Sequence, residues 1–314
     1  MNLLEKLEPV IIFSAIILGL LFSDIEFLKN NTSSLIIPFL FLMLLGIFLE
    51  VPLNDLKKSF HNFKFTGTSL IINFIWTPLF AYFLGSILLY NHIDIWIGFF
   101  MCLVTPCTDW YLLFTKMAKG DISLSLSILP INLVLQVILL PIYLLIFFGG
   151  YNTINLVDLI FSLIVIIVIP FVLSQGIKLS LNKNYSNKIT SLFSNFQIVF
   201  LSIAIFAIFN SEGESLFNNL HAISTIFLPF VLFFTVNFII DFYLSLKLKF
   251  SYKEYASLTL TTIARNSPLA LAIAITSFPN NELIAMALVI GPLIELPVLY
   301  IVSKALLKIK KGYS

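Results

Sequence analysis

Runs of about 20 mostly apolar residues recur along the chain and decide what it can fold into. A helix of that length crosses the hydrocarbon core of a bilayer, which is about 30 Å thick. The chain is 59% hydrophobic and 11% charged, whereas soluble domains are about 45–50% apolar and about 25% charged. The sequence therefore predicts an all-α polytopic membrane protein of the inner or plasma membrane.

We assign one transmembrane helix to each of these runs, and no linker or soluble region separates them. Residues 1–314 are therefore predicted to form a single membrane transporter domain. The ten predicted helices cover residues 9–28, 33–51, 65–90, 93–117, 122–148, 155–179, 188–210, 220–247, 253–278 and 282–306.

The basic residues indicate which way the chain is inserted. Sixteen lysines lie in one set of alternate loops and the two ends of the chain, only Lys29 lies in the other set, and Arg265 lies inside a predicted span, which accounts for all 18 basic residues. Short loops rich in lysine and arginine face the cytoplasm. Both termini are therefore predicted to be cytoplasmic.

Two of the predicted spans contain residues that interrupt a helix. Residues 105–109 (TPCTD) lie in the fourth span, and residues 261–268 (TTIARNSP) lie in the ninth. Non-helical backbone and charged side chains are tolerated at this depth only in a protein interior or a water-filled cavity. Interruptions at corresponding positions predict an inverted repeat of five plus five helices, about residues 1–150 and 151–314, whose broken helices 4 and 9 cross at a substrate site.

Three residues in these interruptions are candidates for chemistry. Cys107 follows Pro106, which frees backbone carbonyls, and its thiol suits soft, thiophilic species; a packing role is an equally good interpretation. Asp109 and Arg265 are each costly at membrane depth, by about 2.5–3.5 kcal/mol, and we expect them to pair at the crossing. The pair is either a structural ion pair or a site in which Asp109 binds a proton or takes part in substrate binding.

Other polar residues also lie inside predicted spans. Glu295, between two prolines in span ten, is a candidate carrier of the coupling proton; the alternative is a protonated side chain bonded to freed backbone. Asn73, Asn132 and Asn266 are candidates for lining the substrate cavity, although such residues also serve to bond neighbouring helices.

Two more polar residues are given structural interpretations. Gln136 lies one helical turn after Asn132 and is expected mainly to bond a neighbouring helix. Asp241 lies near the cytoplasmic end of span eight and is predicted to be solvated.

Enzymatic chemistry is not indicated. The sequence shows no nucleotide-binding loop and no nucleophile paired with a base, and His61, His92 and His221 lie in or near loops. The chain is therefore predicted not to be an enzyme or an ATP-driven pump, and no cofactor or metal site is predicted.

Four stretches carry a family resemblance: residues 106–108 (PCT), residues 119–121 (KGD), Asn132 with Gln136, and residues 291–298 (GPLIELPV). They are similar to the arsenite efflux permeases of the arsenical-resistance (Acr) type, in the bile acid:sodium symporter superfamily. The resemblance covers essentially the whole chain and implies ten spans with broken helices four and nine. It also implies that Cys107 is associated with arsenite transport and that arsenite is exported in exchange for protons.

The chain departs from that family in span nine. Where the permeases have Asn-Asn-Phe-Glu, this chain has residues 265–268 (RNSP), so that the family glutamate falls on Pro268. Arg265 would also place a positive charge where the sodium-coupled branch binds sodium, so we expect sodium independence. The positions that match the sodium sites are Thr261, Arg265, Tyr111 and Leu112.

The residues and the resemblance together predict a secondary active transporter that exports arsenite, by proton antiport. Its partners are a small-molecule substrate, protons and the lipid bilayer, with no nucleic acid and no cofactor. The alternative is a transporter of an organic anion or another oxyanion bound at Arg265; an intramembrane lipid-modifying enzyme is less favoured. The predicted substrate-binding residues are Cys107 (the metalloid ligand), Asp109, Arg265, Asn266, Asn73 and Asn132, and the predicted proton-coupling residues are Glu295 and Asp109.

Overall fold

The computed structural model describes residues 3–50, 62–108, 110–151, 161, 164–211, 213–278 and 281–310. Within these residues the chain is helical, apart from short connections and an isolated antiparallel bridge. Two π-helical turns, Ile72–Trp76 and Ile164–Val168, come directly before α4 and α8. In chain order the α-helices are α1 (Leu3–Leu21), α2 (Glu26–Glu50), α3 (Phe63–Ile71), α4 (Thr77–Leu88), α5 (Ile93–Leu103), α6 (Trp110–Met117), α7 (Ile122–Phe148), α8 (Ile169–Ser180), α9 (Lys183–Ser211), α10 (Gly213–Asn218), α11 (Leu220–Ser224), α12 (Phe227–Lys247), α13 (Tyr252–Ile263), α14 (Ser267–Ser277) and α15 (Glu282–Lys310).

The lengths of these helices identify a multi-pass membrane protein. Six apolar segments among the described residues, 20 to 29 residues long, are able to cross a membrane, and four shorter apolar helices accompany them. The total of ten spans stays a prediction. The six segments are Asn31–Glu50, Phe63–Leu88, Ile122–Phe148, Asn184–Ser211, Leu220–Lys247 and Glu282–Lys310, and the shorter ones are Val10–Leu21, Ile93–Leu103, Ile164–Ser180 and Ser267–Ser277.

The connection between the first two helices corrects the sequence prediction. The first span was predicted to run to residue 28 and Lys29 to lie in a loop, but α1 ends at Leu21 and α2 already begins at Glu26. The polar residues after Glu26 are helical, and two of their side chains bond the preceding turn. Asn31 donates to the carbonyl of Phe27, and Thr32 donates to the carbonyl of Leu28. These side chains therefore bond within their own helix instead of forming a loop.

The third predicted span is a continuous helix that contains a π-helical turn in its middle. Pro78 has no N–H, so it cannot donate to the carbonyl four residues earlier, that of Phe74. The hydroxyl of Tyr143 on α7 donates to that carbonyl instead. The π-helical turn Ile72–Trp76 lies directly before this point, and it contains the buried side chain of Asn73. The span is therefore bonded to α7 at the site of its irregular turn.

The helices pack in two groups. Helices α1, α2, α8 and α9 contact one another and form what we call the α2/α9 group. Helices α3–α7 and α12–α15 form the second, larger group, which we call the crossing group. Within it α5 and α15 approach closely at Gly98, where a Cβ atom would lie 2.6 Å from the carbonyl oxygen of Ile284. The absence of a side chain at Gly98 therefore sets the spacing of the two helices.

Candidate functional site

Two interrupted helices meet in the middle of the crossing group. Helix α5 ends at Leu103 and α6 begins at Trp110, while α13 ends at Ile263 and α14 begins at Ser267. These are the two interruptions expected from the sequence. The segments between the helices lie side by side, with an antiparallel bridge between Pro106 and Arg265. We call residues 104–108 and 264–266 the crossing.

Backbone hydrogen bonds hold the two segments of the crossing together. The N–H of Cys107 donates to the carbonyl of Ala264 at 3.0 Å, and the N–H of Asn266 donates to the carbonyl of Thr105 at 2.7 Å. The N–H of Arg265 donates to Oε1 of Glu295 on α15, at 2.8 Å. Because a backbone N–H without a partner costs several kcal/mol in hydrocarbon, these three bonds allow non-helical backbone to exist at this depth.

The side chain of Arg265 lies inside the crossing and is only 1% exposed. Its Nε donates to the carbonyl of Ile263 at 3.2 Å, and its Nη1 donates to the carbonyl of Leu103 at 2.8 Å. These are the last residues of α13 and α5, and a helix C-terminus carries about half a negative charge. The guanidinium also lies over the ring of Phe233, 5.1 Å from its centroid. Two helix ends and an aromatic face therefore stabilise this buried positive charge.

One nitrogen of the Arg265 guanidinium makes no hydrogen bond within the described part of the chain. Its Nη2 is buried and has no hydrogen-bond partner among the residues that the structure describes. Asp109, the partner expected from the sequence, lies outside the described residues, so the proposed ion pair stays a prediction. A buried donor without a partner is rare in native proteins and indicates a place where a ligand, a water molecule or a further side chain bonds.

Cys107 lies in the crossing beside this charge. It is 2% exposed, and it forms no disulfide with Cys102, the other cysteine of the chain. The neighbouring Thr108 hydroxyl accepts a bond from Nδ2 of Asn266 at 3.4 Å, while Oδ1 of Asn266 caps α14 by accepting from the N–H of Leu269. The structure therefore brings three of the predicted site residues, Cys107, Arg265 and Asn266, into one crossing.

The second cysteine has different neighbours. Cys102 is buried in α5, and its sulfur lies 3.1 Å from the Ser267 hydroxyl at the start of α14. It also lies against α15, since a Cβ atom built at Gly291 would be 2.8 Å from its sulfur. Cys102 thus packs between helices. Because it is also a buried cysteine, it is a suitable control for substitutions of Cys107.

Glu295 reaches the crossing from α15 and is 1% exposed. Its Oε1 accepts the N–H bond from Arg265 described above. A protonated side chain bonded to freed backbone was one of the two interpretations that the sequence allowed; the structure has a bond to backbone in which Glu295 is the acceptor, and its protonation stays a prediction. The same geometry places a titratable group against the crossing, so it is also compatible with a proton carrier.

Two amide side chains predicted to line a cavity, Asn73 and Asn132, lie in the crossing group with Gln136, which was expected mainly to bond a neighbouring helix. Asn73 is in the π-helical turn Ile72–Trp76, and Asn132 and Gln136 are on α7; all three are fully buried. None of their side-chain amide atoms has a hydrogen-bond partner within the described part of the chain. Burying an amide without a bond costs about 1–3 kcal/mol in proteins. These side chains therefore fit a region that takes up water or a polar ligand.

A second buried carboxylate was missed from the sequence. Asp241 on α12 was predicted to be solvated, but it is fully buried, and its Oδ2 accepts a bond from the Thr262 hydroxyl at 2.7 Å. The prediction was wrong because it judged Asp241 by its distance from the helix end, whereas α13 covers this face of α12. The sequence contained a signal: Asn237 lies one helical turn before Asp241, so the two polar side chains share one face of α12. Asn237 is also buried, and its Oδ1 accepts a bond from the indole N–H of Trp76.

One cleft between the two groups is narrow. It is lined by Ile12 of α1, Leu201 of α9, Pro268 of α14 and Pro292 of α15, and its volume is about 10 Å³. A single water molecule needs a cavity of at least about 10–15 Å³. This cleft therefore has room for about one water molecule at most.

Comparisons with known proteins cover most of the chain. A model of the Sodium Bile acid symporter family matches residues 37–219, which is more than half of the chain. Arsenical-resistance protein Acr3 of Corynebacterium glutamicum is 27% identical over 253 residues, covering 74% of this chain and 67% of that protein. The uncharacterized transporter slr0944 of Synechocystis sp. is 28% identical over 206 residues, covering 62% of this chain and 53% of that protein. The uncharacterized protein YbaS of Bacillus subtilis is 24% identical over 293 residues, covering 91% of this chain and 92% of that protein.

Proposed function

This chain belongs to the sodium bile acid symporter family, and we propose that it is a secondary transporter that exports arsenite by proton antiport. The family points to a transporter rather than an enzyme. The observation that carries the choice of substrate is the buried thiol of Cys107, which forms no disulfide, in the crossing of two interrupted helices. The similarity to an arsenical-resistance protein supports the same substrate.

The proposed binding of arsenite requires one reactive group of the protein, the thiol of Cys107. At neutral pH arsenite is mostly the uncharged As(OH)₃, so it enters a buried site without a counter-ion. The Cys107 sulfur forms a bond to arsenic while one As–O bond breaks, and the thiol proton leaves with the hydroxide as water. The product is a thiolate-bound As(OH)₂ group, and its two hydroxyls can bond polar neighbours such as Thr108 and Asn266. Release on the other side of the membrane reverses the step, with water supplying the oxygen and the proton.

The coupling proton is assigned to Glu295 and Asp109. Hydrogen bonds to an ionised carboxylate are roughly twice as strong as bonds between neutral groups. Protonation of Glu295 would therefore weaken its bond to the Arg265 N–H and loosen the attachment of α15 to the crossing. Asp109 follows Cys107 by two residues and would take up a proton on the same segment.

Alternating access would come from movement of the α2/α9 group against the crossing group. One cleft between them, of about 10 Å³, is too small for As(OH)₃ and would have to widen to admit it on that side. The proposed architecture behind this movement is ten spans in an inverted repeat, with both termini in the cytoplasm of a cell whose inner or plasma membrane holds the protein.

A second substrate class is favoured by one specific observation. Nη2 of Arg265 is a buried donor with no partner among the described residues, and a guanidinium suits carboxylates and other oxyanions. In addition, the permease glutamate is replaced by Pro268. A transporter of an organic anion or an oxyanion that binds Arg265 is therefore the second candidate.

Everted membrane vesicles with an imposed proton gradient test the first proposal. Arsenite uptake should be driven by the gradient in the wild type and should fall by about tenfold or more in Cys107→Ser, which corresponds to at least about 1.4 kcal/mol. Cys102→Ser is the matched control and should retain uptake. Absence of uptake by folded wild-type protein would contradict the arsenite proposal. Uptake of an organic acid that depends on Arg265, with Cys107→Ser unaffected, would favour the second candidate.

A further inference from the structure

Asp241 has an environment that its position near the end of α12 does not explain. The side chain is fully buried. One carboxylate oxygen, Oδ2, accepts a single bond from the Thr262 hydroxyl, and the other, Oδ1, has no hydrogen-bond partner among the described residues. A buried carboxylate with one neutral donor is poorly compensated for the loss of water. Such a group is stabilised when it takes up a proton.

The elements near α12 carry charged and titratable groups. Helix α13 carries Tyr255 and is followed by Arg265, whose positive charge acts on Asp241. Helix α15 carries Glu295, which also interacts with Arg265. On α3, the Lys64 ammonium is bonded to the carbonyl of Leu248, beyond the end of α12. Arg265 therefore interacts with two buried carboxylates.

Thr262 connects Asp241 to the crossing. It is the second-last residue of α13 and lies three residues before Arg265. Its hydroxyl has one proton but three acceptors within reach: Oδ2 of Asp241 at 2.7 Å, the carbonyl of Leu258 at 2.9 Å and the carbonyl of Thr259 at 3.2 Å. An ionised Asp241 attracts this proton more strongly than a neutral one. When Asp241 is neutral, the hydroxyl can turn to its own helix instead.

We infer that Asp241 is a further proton-binding site, besides Glu295 and Asp109, and that Thr262 transmits its protonation state to the interrupted end of α13. In the ionised state the Thr262 bond joins α12 to the crossing; in the protonated state this bond weakens and the two elements separate more easily. The role in coupling rests on the proton antiport proposed above. The site itself is a property of the protein without substrate.

Infrared difference spectroscopy of the purified full-length protein between low and high pH tests the site directly. The wild type should show the C=O stretching band of a buried carboxyl group that disappears on ionisation. The band should be lost in Asp241→Asn and kept in Asp94→Asn, the matched control at the start of α5. An unchanged band in Asp241→Asn would overturn the proposal, and so would a band that responds to sodium at constant pH. Since no arsenite is used, this result is independent of the substrate proposal.

A second variant covers the case in which Asp241→Asn does not fold. Thr262→Val removes the hydroxyl but keeps the shape of the side chain, so it should change the frequency of the Asp241 band, whereas Thr262→Ser should leave it unchanged. In vesicles, Thr262→Val should keep arsenite exchange at equal pH on both sides and lose the acceleration by a proton gradient. Identical band frequencies and identical gradient dependence in Thr262→Val and the wild type would contradict the role of Thr262.

Discussion

The backbone N–H of Arg265 donates a hydrogen bond to Oε1 of Glu295, at 2.8 Å. This bond joins the interruption between α13 and α14 to α15 through a titratable side chain. The Arg265 guanidinium takes no part in it, because its Nε and Nη1 donate to the last carbonyls of α13 and α5. One residue therefore connects four helices, its backbone bonding a carboxylate and its side chain bonding two helix ends.

The two proposed roles of Glu295 can be separated by substitution. Glu295→Gln keeps an oxygen acceptor for the Arg265 N–H and should leave stability nearly unchanged, but it should abolish stimulation of transport by a proton gradient. Glu295→Ala leaves that N–H unpaired and should destabilise the protein by about 1–3 kcal/mol. Thermal unfolding in detergent and gradient-driven uptake measure the two effects. Full gradient stimulation in Glu295→Gln would show that another group carries the proton.

Arg265 should be important for stability whichever substrate is carried. Arg265→Lys keeps the charge but cannot reach the carbonyls of Leu103 and Ile263 together, because an ammonium lacks the planar fork of a guanidinium. Arg265→Met leaves both carbonyls without this donor. Each lost buried bond costs about 1–3 kcal/mol. The melting temperature should therefore be highest for the wild type, lower for Arg265→Lys and lowest for Arg265→Met. A methionine variant as stable as the wild type would contradict the two-helix contact.

Much of this site is visible in the sequence. The interruptions, the titratable residue between two prolines and the buried amides follow from residue types that are costly in hydrocarbon. The partners of Arg265 could not be predicted, because they are backbone carbonyls whose position depends on where two distant helices end. The burial of Asp241 was missed for a similar reason: α13 covers it, and hydropathy along α12 does not report contacts with another helix.

Helix packing behind the crossing should be sensitive to one methyl group. Gly98→Ala would place a Cβ atom 2.6 Å from the carbonyl oxygen of Ile284 and 2.7 Å from Cβ of Ala287, so α5 and α15 would have to separate. We expect a loss of about 1–3 kcal/mol from this overpacking. Gly67→Ala is the control, since no atom lies within 4 Å of its added Cβ, and it should stabilise α3 by about 0.5–1 kcal/mol. Equal melting temperatures for the two variants would contradict the close contact.

Transport should not require sodium. The Arg265 guanidinium lies buried in the crossing, and a fixed positive charge there disfavours a bound cation. Initial rates of uptake in vesicles should therefore be the same when sodium is replaced by potassium at constant ionic strength. A rate that disappears without sodium would show that the chain retains the sodium coupling of its family and that a cation binds away from Arg265.

The most direct measurement is arsenic X-ray absorption on the purified protein with bound arsenite. The proposed chemistry replaces one As–O bond by an As–S bond, so the wild type and Cys102→Ser should show sulfur together with oxygen in the arsenic coordination shell. Cys107→Ser should show oxygen alone. A shell without sulfur in the folded wild type, or an As–S contribution that persists in Cys107→Ser, would contradict binding of the metalloid at the crossing.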